Sequence, residues 1–314
     1  LLLALVALIA AAPTGAAEWP TRPIKIIAPS TPGGAADTFA RLLAEFLPPL
    51  LHVPVVVDNR AGAGGLIGVV AASRAEPDGY TFTTSSVAYL AVAPAVAPGS
   101  TFDPVRDMTH IAYLGGPPNV FVVNPALGVH SLAELIARSR ASGPIDYVSP
   151  GVGSLGDLLF EYFAGEAGIK VQHIPHKGGS QAMIDLIAGN VMVGSMTWSS
   201  AVAQVRAGNV IPLAVSSPQR IAEFPTLPTL REEGFDNLVV LTWYAVSGPA
   251  GVPSDIVNKL NRAVIAAWAM PELQRRLAED AIVSEPMTPA QVTSLVDAEV
   301  RKWGPVARRV MAGR

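Results

Sequence analysis

Short β-rich runs alternate with amphipathic stretches along most of this chain. "IKIIAPS" gives way to the helical pattern "GGAADTFARLLAEFL", followed by "VPVVVDN", a helix from about Gly64, and "YTFTTSS". Such alternation predicts parallel strands joined by crossover helices. The rhythm breaks at "FDPVRDMTHIAYLGGPPNVFVVNP", where Gly115, Gly116, Pro117 and Pro118 separate two adjacent strand-like runs and mark a crossing between domains. A second alternating set follows. Its helices are "SLAELIARSR", a segment from Ser154 and "QAMIDLIAG"; its strands are "IDYVSPG", "VQHIPH", "VMVGSM" and "IPLAVSS". The extended run "LVVLTWYAVSGPAGVP" then carries the chain back, and three helices close it. Ser254 reads as an N-cap, Pro271 as a first helical residue and Thr288 to Gln291 as a capping box.

The pattern predicts an α/β protein of two lobes, each a mostly parallel sheet flanked by helices, with a cleft between them of the kind that small-molecule sites favour. Residues 18–117 and 245–314 form the first lobe in this reading, and residues 118–244 the second. Residues 1–17 stand apart. Residues 1–12 are wholly apolar, and Pro13 and "TGAA" follow, as in the hydrophobic region and small-residue cleavage site of a secretory signal cut after Ala17. A membrane span needs roughly 20 apolar residues, more than this run supplies. An exported protein is expected.

Composition narrows the picture. The absence of cysteine excludes disulfides and lipid attachment through an N-terminal cysteine. A net charge of −3 with 15% charged residues leaves no basic footprint for nucleic acid or an anionic membrane surface.

Three junctions between strand and helix carry the candidate chemistry. In "PSTPGGAADTF" the strand ends in Thr31, Pro32, Gly33 and Gly34, and a helix opens over Ala35 to Asp37. Unpaired backbone N–H groups at the positive end of a helix dipole there meet little side-chain bulk, which suits a carboxylate or phosphate. The competing reading is a tight connection capped by Asp37 or Thr31. "YVSPGVGSLGDLLFEYF" repeats the arrangement: Ser149, Gly151, Gly153 and Ser154 would face a bound anion, with Asp157 either joining them or only completing a capping box with Ser154. "HIPHKGGSQAM" sets His176, Lys177 and Gly178 ahead of another helix, as an anion contact or a solvated loop. Met196, Thr197 and Trp198 stand where a strand would deliver a loop into the cleft; core packing is the default, and an apolar wall for a ligand with a hydrophobic body is the functional alternative. Ser85 and Ser86, ending "YTFTTSS", complete the candidate ligand contacts.

Other chemistries are excluded by spacing. In "NRAGAGGLIG" a dinucleotide fingerprint starting at Gly62 would need glycine where Ile67 stands, and no acidic residue follows about 20 positions on. Close helix–strand packing or a tight loop remains for that segment. Lys177 precedes glycine rather than Ser or Thr, so no phosphate-binding P-loop surrounds it. A nucleophile elbow needs glycine where Val152 stands. His173 and His176, three apart on a strand, point to opposite faces and form no metal pair. Asp157 and Glu161 share a helix face but have no nucleophile nearby in sequence. No cofactor, metal or catalytic group is expected.

The pieces "WPTRPIKIIAPSTPGGAADTFARLLAEFL", "VVVDNRAGAGGLIG", "PDGYTF", "FDPVRD", "PNVFVVNP", "GVGSLGDLLFEYF", "HIPHKGGSQAMIDLIAGNV", "FPTLPTLREEGF" and "RKWG", in this order, resemble the substrate-binding proteins of tripartite tricarboxylate transporters, the Bug family. The resemblance spans nearly all of the chain after residue 17. It implies a periplasmic binding protein of the Venus flytrap type, monomeric, that closes on a small organic carboxylate and delivers it to membrane permease subunits. It also implies that one carboxylate is held by backbone N–H groups of the loop Thr31 to Asp37, opposed by the loops Ser149 to Ser154 and His176 to Gly178. The chain departs from the family pattern where a common histidine is Asp157, a common tyrosine is His176, and two common aspartates are Met192 and Met196. Met196 and Trp198 are therefore expected to select a more apolar or aromatic body than citrate. Two other functions share these residues: a ligand-presenting adaptor for a membrane sensor kinase, and a periplasmic hydrolase using Ser154 with His176.

Overall fold

The computed structural model describes residues 18–312 apart from Lys177. The expected leader, residues 1–17, and the expected anion contact at Lys177 lie outside the described residues. The first alternating set forms β1 (Ile24–Ala28), α1 (Ala35–Phe46), α2 (Pro48–Leu51), β2 (Val55–Asn59), α3 (Leu66–Ser73), β3 (Thr81–Ser86), α4 (Ala93–Val96) and β4 (Met108–Gly115). After the Gly-Gly-Pro-Pro break come β5 (Asn119–Val123), α5 (Leu132–Ser142), β6 (Ile145–Ser149), α6 (Leu155–Ala167), β7 (Val171–Pro175), α7 (Gly179–Ala188), β8 (Val193–Thr197), α8 (Trp198–Arg206) and β9 (Ile211–Val215). The return run contains β10 (Tyr244–Pro249), and α9 (Ser254–Trp268), α10 (Pro271–Glu279) and α11 (Pro289–Ala312) follow.

The two sheets have the same plan. The first runs β2-β1-β3-β10-β4 and the second β7-β6-β8-β5-β9. In each, three strands pair in parallel and one strand, β10 or β5, pairs antiparallel on both sides. Four strands of five therefore point one way. The reversed strand is in both cases the one that enters from the other lobe: it arrives at the end where the parallel strands finish, so it must run back along them. Both sheets are thus mixed, and the C-terminal ends of β1 and β6 lie at equivalent places, next to the crossings.

Local chemistry accounts for most boundaries. β1 is buried at four of its five positions, as a parallel strand covered on both faces should be. Along α1 the buried residues Ala36, Phe39, Ala40 and Leu43 repeat at helical spacing while Thr38 and Arg41 face water. The Thr288 N–H donates to Gln291 Oε1 at 2.8 Å and the Gln291 N–H returns to Thr288 Oγ1, the reciprocal box that starts α11. α9 begins one residue away from the sequence reading: Ser254 is its first helical residue, and Pro253 is the N-cap whose carbonyl accepts the first helical bond from the Val257 N–H.

Three apolar clusters hold the fold. One belongs to the first lobe, between its sheet and α1, α9 and α10; a second lies between the second sheet and α7 and α8. The third joins both lobes and takes in Ile27, Leu90, Phe121, Phe160, Trp243 and Trp303. Here the indole N–H groups of Trp243 and Trp303 both donate to Glu299 Oε2, at 3.0 and 3.1 Å. Among the described residues no helix is long and apolar enough to cross a membrane.

Candidate functional site

β1 ends in a turn that leads directly into α1. The Gly34 N–H closes the turn on the Thr31 carbonyl at 3.0 Å, and Gly33 takes φ +81°, which a side chain would strain. Asp37, the third residue of α1, is buried and accepts from the Gly33 N–H at 2.8 Å, Arg41 Nε at 2.8 Å and Asn59 Nδ2 at 2.9 Å. Burial raises the pKa of such a carboxyl, but the Arg41, Gly33 and Asn59 hydrogen bonds outweigh it and hold the group below its ordinary range. The Asp37 N–H in turn donates to Ser30 Oγ. Asp37 is therefore a brace for the turn rather than a ligand contact, and Gly33's N–H is spent on it. The amides of Ala35 and Ala36 keep no acceptor among the described residues. Thr31, Pro32, Gly33 and Ala35 are exposed, so this end of α1 opens to solvent.

The serines at the end of β3 divide by face. Ser85 is fully buried, its hydroxyl engaged with Ser247 Oγ at 2.7 Å and the Ala245 carbonyl; it is a sheet contact and not a ligand contact. Ser86 is on the face of Thr84, whose hydroxyl donates to the Ala36 carbonyl of α1 at 3.0 Å. One strand repeat further along β3, Ser86 Oγ is buried with no hydrogen-bond partner among the described residues. A buried hydroxyl of this kind needs a partner.

The second lobe repeats the turn. Gly153, at φ +72°, donates its N–H to Asp157 Oδ2 at 2.8 Å, and the Asp157 N–H donates to Ser154 Oγ at 3.2 Å. Asp157 is fully buried and also receives the Tyr147 hydroxyl at 2.7 Å; His173 Nδ1 lies 3.4 Å from its Oδ1. It braces its turn as Asp37 does. Ser149 is also fully buried, between His173 Nε2 at 2.8 Å and the Gly151 and Ser154 groups, so it supports the turn from below. Val152 is the exposed residue of this turn, while Gly151, Gly153 and Ser154 are partly open. Gly153 packs toward Val92 of the first lobe, 3.4 Å from where its Cβ would stand, so the turn faces the opposite half.

Other expected contacts are turned away. His176 Nδ1 pairs with the Ile174 carbonyl and Nε2 with Asp185 at 2.7 Å, tying the second half of α7 to the end of β7; neither nitrogen joins Ser154. Gly178 is the N-cap of α7 at φ +142°, with no side chain capping that helix. Met196 and Trp198 are buried in the second-lobe core, with Trp198 edge-on to Phe224 at 5.2 Å. They form no wall for a ligand, because Met196 takes the inward face of β8 and Trp198 opens α8 against the core. Thr197, between them, is partly exposed and shares a hydroxyl contact with Ser200. The "NRAGAGGLIG" segment packs closely: a Cβ on Gly68 would lie 2.8 Å from the Arg60 carbonyl and Pro29 Cα. Sequence reasoning missed Ser30, Asn59 and Tyr147: Asn59 enters through β2, which sequence order does not join to the turn, whereas Ser30 stands directly before Thr31 and Tyr147 two residues before Ser149, adjacent but with nothing local to show which groups they bind. Among the described residues no group of three His, Asp or Glu is placed to hold a metal.

Residues 39–311 match the family described as tripartite tricarboxylate transporter family receptor. The chain is 36% identical to Protein BugT of Bordetella pertussis over 304 residues, 96% of this chain and 93% of that one. Among solved structures it resembles an R. palustris protein with adipate, at TM-score 0.83 and 30% identity, covering 93% of this chain and 98% of the other. It also resembles MatC from Rhodopseudomonas palustris with bound malate, at TM-score 0.80 and 26% identity, covering 92% and 100%. The turn geometry, the paired mixed sheets and these likenesses agree: the chain belongs to the tripartite tricarboxylate transporter receptor family, whose members are periplasmic solute-binding proteins and not enzymes.

Proposed function

We propose that the protein captures a small organic carboxylate between its lobes, divided at residues 18–117 with 245–314 and 118–244, and delivers it as a monomer to the permease of a tripartite transporter after export and cleavage near Ala17. The observation that carries the reading is the open start of α1, where the Ala35 and Ala36 amides have no acceptor among the described residues while the turn before them is exposed. Peptide donors at the positive end of a helix bind carboxylates without net charge, which suits a chain of net charge −3. The partly open second turn, Gly151 to Ser154, with Gly178 and Thr197, forms the opposing half. A ligand that touches both halves only when they approach stabilises closure by its differential affinity. The adipate and malate bound by the two relatives support the ligand class.

Calorimetric titration with adipate, malate, citrate and benzoate, together with native mass spectrometry of freshly purified protein, tests this. Saturable binding of at least one acid, lost in an Ala35→Pro variant that removes one helix-start donor, is expected. Failure of every acid to bind, or a neutral co-purified compound, defeats the reading.

A further inference from the structure

The loop between α10 and α11 belongs to neither crossing, yet it touches both lobes. α10 ends in a left-handed turn: the Ala281 N–H returns to the Ala278 carbonyl at 3.0 Å and the Ile282 N–H to the Leu277 carbonyl at 2.8 Å, with Ala281 at φ +50°. Glycine is the usual occupant of such a place, because a Cβ there is strained. The methyl group that alanine keeps has a contact. Ala281 packs against the apolar cluster between the second sheet and α7 and α8, as do Ile221 and Phe224. Glu279 and Asp280, just before it, stand within electrostatic reach of Arg206 at the end of α8, which is itself paired with Glu223. The two ends of the loop are fixed in the first lobe, by Leu277 in that lobe's cluster and by the Asn261 amide on the Met287 carbonyl at 2.9 Å. A segment anchored in one lobe thus presses on the other.

Two residues further on, the loop is fastened to the outward crossing. The Gly116 N–H donates to the Val283 carbonyl and the Val283 N–H to the Gly116 carbonyl, both at 3.2 Å. On its opposite edge that crossing holds the return strand, whose Thr242 N–H donates to the Pro117 carbonyl at 2.9 Å. Side chains have no room here: a Cβ on Gly115 would overlap the Val283 carbonyl, and one on Gly116 the Thr242 carbonyl. Strand order then sets the loop and the glycine turns on opposite sides of the crossings. β1, which leads to Gly33 and Gly34, lies beyond β3 on one side of β10, and the loop joins the outer edge of the β4 crossing on the other. A rotation about the crossings that brings the two glycine turns together separates the surfaces behind them. We propose that Asp280 to Ser284 form a strap behind the hinge, whose Ala281 contact holds the lobes open on the ligand side and must give way when they close.

The effect on affinity rests on the carboxylate reading above; the effect on the spacing of the lobes does not. Small-angle scattering of the ligand-free full chain reads closure as a fall in radius of gyration. Ala281→Gly removes the methyl contact and relieves the left-handed residue, so the radius is expected to fall while the urea midpoint stays at or above wild type. A contact that only stabilised the fold would lower the midpoint and leave the radius alone. Arg206→Gln, which removes the attraction to Glu279 and Asp280, should shift the radius the same way by less. In a second arm adipate and malate are titrated by calorimetry. Because a larger share of the variant is already closed, Ala281→Gly should bind whichever acid wild type binds roughly threefold tighter or more. A radius unchanged or larger in Ala281→Gly, or binding no tighter than that of wild type where wild type binds, overturns the proposal. A smaller radius with neither acid bound by either protein supports the strap and defeats the carboxylate reading alone.

Discussion

Asp37 and Asp157 occupy the same position in the two lobes. Each is the third residue of the helix that follows the central parallel strand, is buried, and accepts the N–H of a left-handed glycine four residues earlier at 2.8 Å. The carboxylates in this site therefore belong to the protein's own scaffolding. They hold two glycine turns open, and it is the backbone of those turns, not the acids, that is left to meet a ligand.

Gly34 is the narrowest place in the first turn. A Cβ there would stand 2.9 Å from Ser30 Cβ and 3.1 Å from the Thr31 carbonyl, although its φ of −74° is ordinary. Gly34→Val is expected to weaken carboxylate binding by about a hundredfold by moving the Ala35 and Ala36 amides, with a stability loss held to about 1–3 kcal/mol because the crowding is local. Calorimetric titration beside urea unfolding checks both numbers; unchanged affinity would remove α1 from the site.

Asp37→Ala leaves the Gly33 N–H without its acceptor and the Asn59 amide with only the Ser30 carbonyl, which should cost about 1–3 kcal/mol in urea unfolding. The carboxyl's ionised form is favoured by folding, so its contribution is complete above the unfolded value near 4 and is lost as pH falls through the lower folded value. The difference between wild type and Asp37→Ala should shrink below about pH 4 and persist at neutral pH. A difference independent of pH contradicts this account of the brace.

Met196 and Trp198 are core residues here. Met196→Leu should leave the order of preference among adipate, malate and benzoate unchanged and cost under about 1.5 kcal/mol. Trp198→Ala should cost about 3–5 kcal/mol through the lost contact with Phe224. A reordered ligand preference in Met196→Leu would restore this residue to the ligand wall.

Glu299 is the acceptor for two indoles inside the core that joins the lobes, and burial pushes its carboxyl above the ordinary range. Folding therefore favours the neutral form, so the group's effect on stability worsens as pH rises through the unfolded value near 4 toward the folded one. Glu299→Gln keeps an acceptor for the indoles and carries no charge. It should unfold at higher urea than wild type at pH 7, and the two should converge below about pH 4. Equal midpoints at neutral pH would mean that the partly buried charge costs nothing.

Alternation of strand and helix patterns and the capping signals determined the α/β class with its two sheets and the starts of α6, α10 and α11, because those are local properties of the backbone. Gly33, Gly34, Gly151 and Gly153 were legible as turns for the same reason. What each neighbouring side chain does was not. Asp37 reads as a donor-rich turn's acid until Asn59 and Arg41 are seen to bind it, and His173 reads only as one of two histidines on opposite faces of a strand until β7 pairs with β6 and sets it beside Ser149. Likewise the face that Met196 takes on β8, and the reversed direction of β5 and β10, follow from which strand lies beside which. Local sequence fixes where the chain turns; only the packing of distant strands decides which polar groups are consumed inside the protein and which remain for a ligand.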